Sequence, residues 1–303
     1  MKSKLNDVFN TSQEYVITRA IRAAGYSAIV FVALIFYFLL REGLPALQEV
    51  ALPDLFALRW YPIENYFGLL PLISGSIIVT LGATLIAVPF GIATAIFISE
   101  IAPRWVREIL KPLVELLGSL PSVVLGFLGI LVLAPNIRVL LNLPTGLTAF
   151  AGSLLLGAIA LPTVVSVAED ALDSVPRSYR EGAWALGATR WQTIWRVTLP
   201  AARSGVLTAV MLGVGRAIGE TMTVMMVTGN APVLADSLGS FFSPVRTMTA
   251  TIAAEMGEVA NGSSHYHTLF FIGMLLFIFS LVINVTASAV VFRSQKRAEK
   301  VLS

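Results

Sequence analysis

Two charged residues lie inside an apolar stretch of the sequence, at a spacing that suits a single chemical site. Arg216 and Glu220 occur within Gly205–Thr228, which reads GVLTAVMLGVGRAIGETMTVMMVT. Four positions apart, they would lie on one face of a helix. A charge at the centre of a bilayer costs at least about 2.5–3.5 kcal/mol on insertion scales, so an intramembrane pair is expected to have a function.

This pair has two interpretations. The side chains could neutralise each other as a structural clamp, or they could line a polar pathway in which Arg216 meets an anion. We favour the pathway, because the guanidinium fork matches the oxygens of an oxyanion and is always charged. We assign to the same pathway the hydroxyl of Thr221 and that of Ser122, which could instead cap a helix after Pro121. The residues alone predict an anion, and no particular one.

A second candidate site is the charged stretch Glu169–Arg203. It predicts two short helices, Tyr179–Leu186 and Thr189–Val197, with Gly187 ending the first and Pro200 breaking the second. A helix–turn–helix of this kind can be an ordinary amphipathic element, held at membrane headgroups by its Trp and Arg residues.

The composition determines what kind of protein can carry these residues. Of the 303 residues, 56% are hydrophobic and only 13% are charged, and the mean hydropathy is +0.80. Soluble domains carry about 25% charged residues, so this chain cannot cover a water-soluble surface. There is no cysteine, and His265 and His267 have no adjacent carboxylate or cysteine. We therefore predict a polytopic membrane protein without a disulfide, a metal site or a cofactor.

The elements that must position the two sites are membrane-spanning helices. Six apolar stretches are long enough, since a span needs about 20 residues. They are Ala23–Leu40, Leu72–Ser99 with Pro89 inside it, Gly118–Leu133, Leu147–Ala168, Gly205–Thr228 and Thr268–Phe292.

Basic residues indicate the orientation of these spans. With both termini in the cytoplasm, sixteen Lys and Arg residues fall on the cytoplasmic side and four on the other. The sixteen are Lys2, Lys4, Arg19, Arg22, Arg104, Arg107, Lys111, Arg177, Arg180, Arg190, Arg196, Arg203, Arg293, Lys296, Arg297 and Lys300, and the four are Arg41, Arg59, Arg138 and Arg246. This positive-inside distribution explains the basic excess without a nucleic-acid partner.

Two long loops are then external, Arg41–Leu70 and Asn230–His267. In the second loop Met248, Ile252 and Met256 recur at a spacing of four, which predicts a short surface helix.

We divide the chain into three parts. An N-terminal anchor helix with its external loop covers residues 1–67, and a transmembrane domain covers 68–295 and includes the cytoplasmic loop 169–203. Residues 296–303 form a cytoplasmic tail.

The cytoplasmic loop resembles the EAA loop of ABC importer permeases. The family pattern is Glu-Ala-Ala, three residues, Gly, nine residues and Ile-x-Leu-Pro. Its counterpart here consists of Glu181-Gly182-Ala183, Gly187 and Val197-Thr198-Leu199-Pro200. The sequence departs from the pattern at Gly182 and Val197, which are small or conservative changes. The resemblance implies an all-α, MetI-like permease fold with about six transmembrane helices.

In such permeases this loop forms a coupling helix that docks in a cleft of a separate ATPase subunit. The residues that the resemblance implies in this coupling are Glu181, Gly182, Ala183, Gly187, Leu199 and Pro200. Small residues suit the close approach of two backbones. The chain contains no G-x-x-x-x-G-K-[ST] motif, so it is not an enzyme by itself and ATP hydrolysis falls to a partner chain.

The fifth stretch narrows the resemblance to phosphate-specific (Pst) permeases of the PstC branch. The run GRAIGETM, the segment Leu120–Phe127 and the segment Ser174–Ser178 carry it, with departures at Leu120 and Leu125. It implies a phosphate importer in the inner membrane of a prokaryote. The implied partners are a PstA-like sister permease, a PstB-like ATPase dimer and a PstS-like external phosphate-binding protein. An ABC permease for another oxyanion or small solute, or an ATPase-independent secondary transporter, are the alternatives.

Overall fold

The computed structural model describes the backbone of residues 2–302, and it describes the side chains of residues 15, 17–237, 239–286, 288 and 289. Apart from a small hairpin, all regular structure in this part of the chain is helical, as predicted. The hairpin pairs β1 (Trp60–Tyr61) with β2 (Tyr66–Phe67) in antiparallel register. Lys2, Lys4 and the basic residues of the tail were predicted to be cytoplasmic. Their side chains are not among those that the structure describes.

The α-helices follow one another along most of the chain. In order they are α1 (Lys2–Gly43), α2 (Ala46–Glu49), α3 (Leu52–Leu55), α4 (Leu70–Ile96), α5 (Arg104–Ser119), α6 (Ser122–Leu128), α7 (Ala134–Leu140), α8 (Ala149–Asp173), α9 (Arg177–Ala185), α10 (Arg190–Thr193), α11 (Leu199–Ala201), α12 (Arg203–Gly219), α13 (Met222–Val227), α14 (Met248–Glu255) and α15 (Ser264–Leu302). Three π-helical turns continue helices, at Phe97–Ile101, Gly129–Leu133 and Ile194–Thr198. Two short 3₁₀ helices lie at Pro62–Glu64 and Leu238–Phe242.

Five or six membrane spans are present, where six were predicted. Among the described residues, five segments are long and apolar enough to cross a bilayer, and the number is six if Arg190–Ala201 and Arg203–Gly219, with a bend of 74° between them, form one span. The five are Ile17–Glu49, Leu70–Ile101, Ser122–Leu140, Ala149–Asp173 and Ser264–Thr286. Pro89 does not end α4. The predicted third span was wrong at its start, because residues before Leu120 belong to another helix.

That other helix, α5, was missed in the sequence. It is strongly amphipathic, and its basic residues Arg107 and Lys111 face acidic residues at the end of α8. Pro112 lies within this helix and does not end it. The chain leaves α5 at Leu120, which is extended, and starts α6 after Pro121.

The centre of the molecule is built on close packing of α4, α8 and α12. Its buried cluster consists largely of small side chains, including Ala83, Ala87, Ala160 and Ala217. Small residues allow helix backbones to approach closely where no hydrophobic effect drives helices together. The long α1 packs on α15 through part of its length, and most of its described side chains are exposed.

The end of the molecule that carries the hairpin and α14 has its own apolar core. Trp60, Phe67, Leu69, Leu269 and Ile272 are all buried there. The predicted helix in the second long loop is confirmed as α14, but it lies at the surface on one face only.

Burial along α14 explains that correction. Met248 is 5% exposed, and Ala250 and Thr251 are fully buried. Thr247 accepts a hydrogen bond from the backbone of Ala250 and so begins the helix. The buried face of α14 therefore packs against the spans, whereas Ala253 and Ala254 on its other face are exposed.

Candidate translocation and coupling sites

The fifth span is broken at the position of its charged residues. Helix α12 ends at Gly219, and Glu220 is extended, with φ −72° and ψ 126°. Helix α13 begins only at Met222. The prediction of one continuous helix was therefore wrong, and Arg216 and Glu220 do not share a helical face.

Arg216 is held by neutral groups of other helices. Its Nη1 donates to Thr163 Oγ1 and its Nη2 donates to the backbone oxygen of Gly118, both at 3.0 Å. Gly118 lies in the last turn of α5, where unpaired carbonyl groups favour a cation. No carboxylate lies within 4.0 Å of the guanidinium among the described residues, so the alternative interpretation, a clamp between Arg216 and Glu220, has no ion pair to support it.

Glu220 starts the second half of the broken span. Its Oε1 accepts a hydrogen bond from the backbone N–H of Thr223, 3.2 Å away, in the manner of a helix cap. Its backbone oxygen accepts from Thr249 Oγ1 in α14 at 3.3 Å. Thr221 turns back, and its hydroxyl donates to the oxygen of Gly219 at 3.3 Å.

Two helix breaks meet at this point. Thr223 Oγ1 donates to the backbone oxygen of Ser122 at 2.9 Å, which joins the start of α13 to the start of α6. The structure thus joins the break at Glu220–Thr221 to the start of α6 at Ser122, while Arg216, in the last turn of α12, contacts the end of α5 at Gly118. At membrane depth, such non-helical backbone is tolerated only within protein or beside a water-filled cavity.

Further polar residues around the two breaks were missed. They are Gly118 and Thr163 at Arg216, and Thr249 at Glu220, where Thr223 also lies. A hydroxyl residue inside an apolar stretch is the signal that could have found Thr163, whereas Thr249 lies in the second long loop. At the break, the guanidinium of Arg216 therefore has unused N–H donors among the described residues, and it lies near hydroxyl groups and the free ends of helices.

The predicted coupling surface lies on α9 and the turn after it. Glu181, Gly182 and Gly187 are exposed, and Ala183 is half-buried. A Cβ atom added at Gly182 or Gly187 would meet nothing within 4 Å. Gly187 has a φ of +80°, which fits its predicted position as the end of the helix. Beside α9 lies a groove of about 430 Å³.

Leu199 and Pro200, the other predicted coupling residues, lie elsewhere. They belong to α11, which follows the π-helical turn Ile194–Thr198 and leads into the bend before α12. Leu199 packs against the buried cluster that includes Ile194 and Val206. The structure therefore groups the Glu181–Gly187 part of the pattern and gives its Leu-Pro end a position at the bend.

Ion pairs fasten α5 to the end of α8. The carboxylate of Glu169 is 1% exposed and lies 3.1 Å from Arg107 Nη2 and 3.0 Å from Lys111 Nζ. Asp173 also pairs with Arg107, and Asp170 with Lys111. The hydrogen bond to Glu169 raises the pKa of the Lys111 ammonium above its usual value. Glu169 was predicted to begin the loop, whereas α8 continues to Asp173.

His265 takes part in a polar cluster at the opposite end, whereas His267 lies beside Glu42 and Glu49. His265 Nε2 donates to Glu255 Oε2 at 2.8 Å, and Trp60 Nε1 and Arg246 Nη2 reach Glu255 Oε1 at 3.2 and 2.8 Å. Burial would raise the pKa of the Glu255 carboxyl, but the hydrogen bond from His265 and the charge of Arg246 outweigh it, so that pKa is lowered. Among the described residues, no group of three His, Cys, Asp or Glu side chains could hold a metal ion.

Comparison with known sequences identifies similar proteins along most of the chain. A profile described as "Binding-protein-dependent transport system inner membrane component" matches residues 87–300. A probable ABC transporter permease protein, YqgH, of Bacillus subtilis is 45% identical over 75% of this chain and 73% of that protein. The phosphate transport system permease protein PstC of Xylella fastidiosa is 34% identical over 84% and 83%, and that of Mesorhizobium japonicum is 33% identical over 95% and 94%.

Solved structures share the fold at low identity. A chain of a bacterial alginate ABC transporter, crystallised with an alginate pentasaccharide-bound periplasmic protein, superposes with a TM-score of 0.60 at 17% identity, over 88% of this chain and 92% of that chain. A chain of the inward-facing MetNI methionine ABC transporter gives a TM-score of 0.55 at 18% identity, over 75% and 94%. The predicted fold class, an all-α permease of the ABC importer type, is confirmed.

Proposed function

We propose that this chain, which belongs to the family of binding-protein-dependent transport system inner membrane components, is the transmembrane permease subunit of an ATP-driven importer of inorganic phosphate. It is a multi-pass membrane protein. Relatives that carry the name of a phosphate transport permease align over most of its length, which supports phosphate as the substrate.

The observation that carries the proposal is the position of Arg216 at two facing helix breaks. Its guanidinium is held by neutral oxygens, so its charge is not cancelled by a carboxylate within 4.0 Å among the described residues. An arginine in this state attracts an anion and offers it N–H donors in a fixed fork. Thr221 and Ser122 would add polar groups along the same path.

A single arginine in the path suits passage of the anion through the membrane better than tight binding of the anion. A phosphate held tightly within the membrane would leave slowly, so high affinity is better supplied outside the chain. We assign it to an external phosphate-binding protein of the PstS type. The carboxyl group of Glu220, which caps α13, lies at the same break and would disfavour tight binding of an anion.

The ATPase that drives transport would bind to the exposed surface of α9. An ATPase dimer of the PstB type would dock on Glu181, Gly182, Ala183 and Gly187, where nothing obstructs a partner backbone. One chain supplies one such surface, so a PstA-like sister permease would supply the second. Leu199 and Pro200 would act at the bend, between the docking surface and α12. The chain itself would not be an enzyme.

Orientation belongs to the same proposal. We place both termini and α9 in the cytoplasm and the hairpin end outside, in the inner membrane of a prokaryote. The sixteen-to-four distribution of basic residues supports this orientation. An importer of a different oxyanion is the second candidate, because the chemistry of Arg216 suits any oxyanion.

Phosphate uptake into proteoliposomes tests the proposal. The assay contains the chain, its sister permease, the ATPase and the binding protein, with ATP inside. Arg216→Gln should reduce uptake by about 100-fold, the scale for losing an essential charge contact, with normal assembly. The matched control is Arg138→Gln, which removes an exposed arginine at the end of α7.

Three results would contradict it. Normal uptake in Arg216→Gln would remove Arg216 from the path. Stronger competition by sulfate or molybdate than by unlabelled phosphate would assign another substrate. Uptake that persists without the ATPase and follows an ion gradient would identify a secondary transporter.

A further inference from the structure

One side chain joins α9 to two membrane spans. Arg180 in α9 donates to Glu100 Oε1 from Nε at 3.0 Å and from Nη2 at 2.6 Å. It also donates to the backbone oxygens of Leu172 at 2.9 Å and Val175 at 2.7 Å. Glu100 lies in the π-helical turn that continues α4, and Leu172 lies in the last turn of α8. A single guanidinium therefore contacts α9, α4 and the end of α8.

The surroundings make this joint strong. The side chains of Arg180 and Glu100 are only 14% and 8% exposed, so water screens the pair little. The forked geometry fixes orientation as well as distance. Arg190, at the start of α10, also donates to the backbone oxygen of Glu100. Both helices of the loop are thus tied to one residue at the end of α4.

The neighbours of Arg180 face in the other direction. Glu181, the next residue, is exposed on the docking surface, and so is Arg177 one turn earlier. Helix α9 therefore carries a surface for a partner and, between exposed residues, a buried attachment to the spans. The segment Ser174–Pro176 between α8 and α9 has only a short turn of its own, and the Arg180 contacts brace it.

We propose that Arg180 and Glu100 are the positioning pair that transmits movement of α9 to α4 and α8, and so set how much transport each ATP drives. This inference rests on the proposed function, because it requires an ATPase that moves α9. If the pair is removed, the partner can still dock and move α9, but the turn at Ser174–Pro176 flexes and the spans follow less far.

The experiment measures phosphate taken up and ATP hydrolysed in the same proteoliposomes of the complete transporter. Arg180→Gln and the double variant Arg180→Gln with Glu100→Gln should each reduce uptake per ATP by about tenfold, with the ATPase still bound. Arg180→Lys keeps the charge but not the fork, so it should give a smaller reduction. The matched controls are Arg104→Gln and Glu108→Gln in α5, both exposed, and both should keep the wild-type ratio.

The double variant separates transmission from charge balance, since it leaves no buried charge without a partner. A wild-type ratio in the double variant would overturn the inference, because the pair would then serve only to neutralise itself. Failure of all three variants to assemble would also overturn it, and would make the pair a requirement for folding. A wild-type transporter without phosphate uptake would instead contradict the proposed function.

Discussion

The end of the molecule that carries α9, which we call the coupling end, adds a set of ion pairs to its apolar cluster, whereas the hairpin end is joined mainly by an apolar core. At the coupling end, carboxylates of α4 and α8 meet basic residues of α5 and α9, and the surface of α9 stays bare. At the hairpin end, Trp60, Phe67 and Leu269 are buried, and one carboxylate, Glu255, gathers the polar groups.

The difference has a physical reason in what each end must do. Ion pairs are directional and hold elements at fixed angles while apolar surface stays available for a partner. An apolar core gives stability without fixed angles, and it hides the surface that builds it. The coupling end is therefore suited to transmit force, and the hairpin end is suited to close over the spans.

The largest loss of stability is expected from removal of Glu169, at the coupling end. Glu169→Gln leaves Arg107 and Lys111 without their buried carboxylate, and we expect a loss of about 3 kcal/mol in the free energy of unfolding, the lower part of the range for a broken buried pair. Asp170 and Asp173 remain within reach and limit the loss. Thermal unfolding in detergent measures it. Asp170→Asn, with a side chain 75% exposed, is the control, and an equal effect in both variants would refute the contrast.

Removal of Glu255 should weaken the hairpin end by less. Glu255→Gln loses the ion pair with Arg246 but keeps an oxygen for Trp60, so we expect a loss of about 1–2 kcal/mol. The apolar core around it stays intact. Local hydrogen exchange of α14 is the measurement, and the exposed Glu258 provides the control Glu258→Gln. A loss larger than that of Glu169→Gln would reverse the comparison between the ends.

The two ends should respond to opposite extremes of pH. The lowered pKa of Glu255 means that its stabilisation is present above the usual glutamate value and is lost as pH falls through the lowered value. The raised pKa of Lys111 means that its stabilisation is present below the usual lysine value and is lost as pH rises through the raised value.

Hydrogen exchange over a pH series, resolved by segment, can separate these responses. Acid should open α14 first, by about 1 kcal/mol or less, and strong base should open α5 first. Glu255→Gln should abolish the acid response alone. Acid opening of α14 that is unchanged in Glu255→Gln would assign the response to another group.

The smallest effect on stability should occur at Gly182. A Cβ there meets nothing within 4 Å, so Gly182→Trp should change the free energy of unfolding by less than about 0.5 kcal/mol, as at other exposed sites. It should nevertheless abolish binding of the ATPase and phosphate uptake, because it obstructs the docking surface.

Gly187→Ala is the companion variant. The φ of +80° at Gly187 makes any side chain costly, by about 1–2 kcal/mol, so this variant reports backbone strain. Pull-down of the ATPase distinguishes obstruction from strain. Normal binding with Gly182→Trp would remove α9 as the docking surface.

The sequence predicted the spans and the turn at Gly187 well, because hydropathy and glycine preference are local properties. It missed the break at Glu220, since Arg216 and Glu220 at a spacing of four looked like a helical pair. Only the contacts of Thr223 with Ser122 and of Thr249 with Glu220, from distant parts of the chain, reveal two breaks that face each other.

Burial was also beyond local reasoning. The spacing of apolar residues in α14 predicted a helix correctly, but no local signal states whether its apolar face covers the protein or a membrane surface. The joints at Glu169 and Glu100 pair residues more than sixty positions apart. Such pairs depend on the packing of α4, α5 and α8, which a single sequence does not specify.

The break at Glu220–Thr221 interrupts the backbone hydrogen bonds of a segment that must enter a bilayer. Interrupted backbone is not tolerated against lipid, and Arg216 is exposed on the same segment of the isolated chain. A newly synthesised chain should therefore be unstable in the bilayer until a partner chain covers this face. A cell that makes it alone should degrade it, so its abundance should follow the supply of its partner and not its own rate of synthesis.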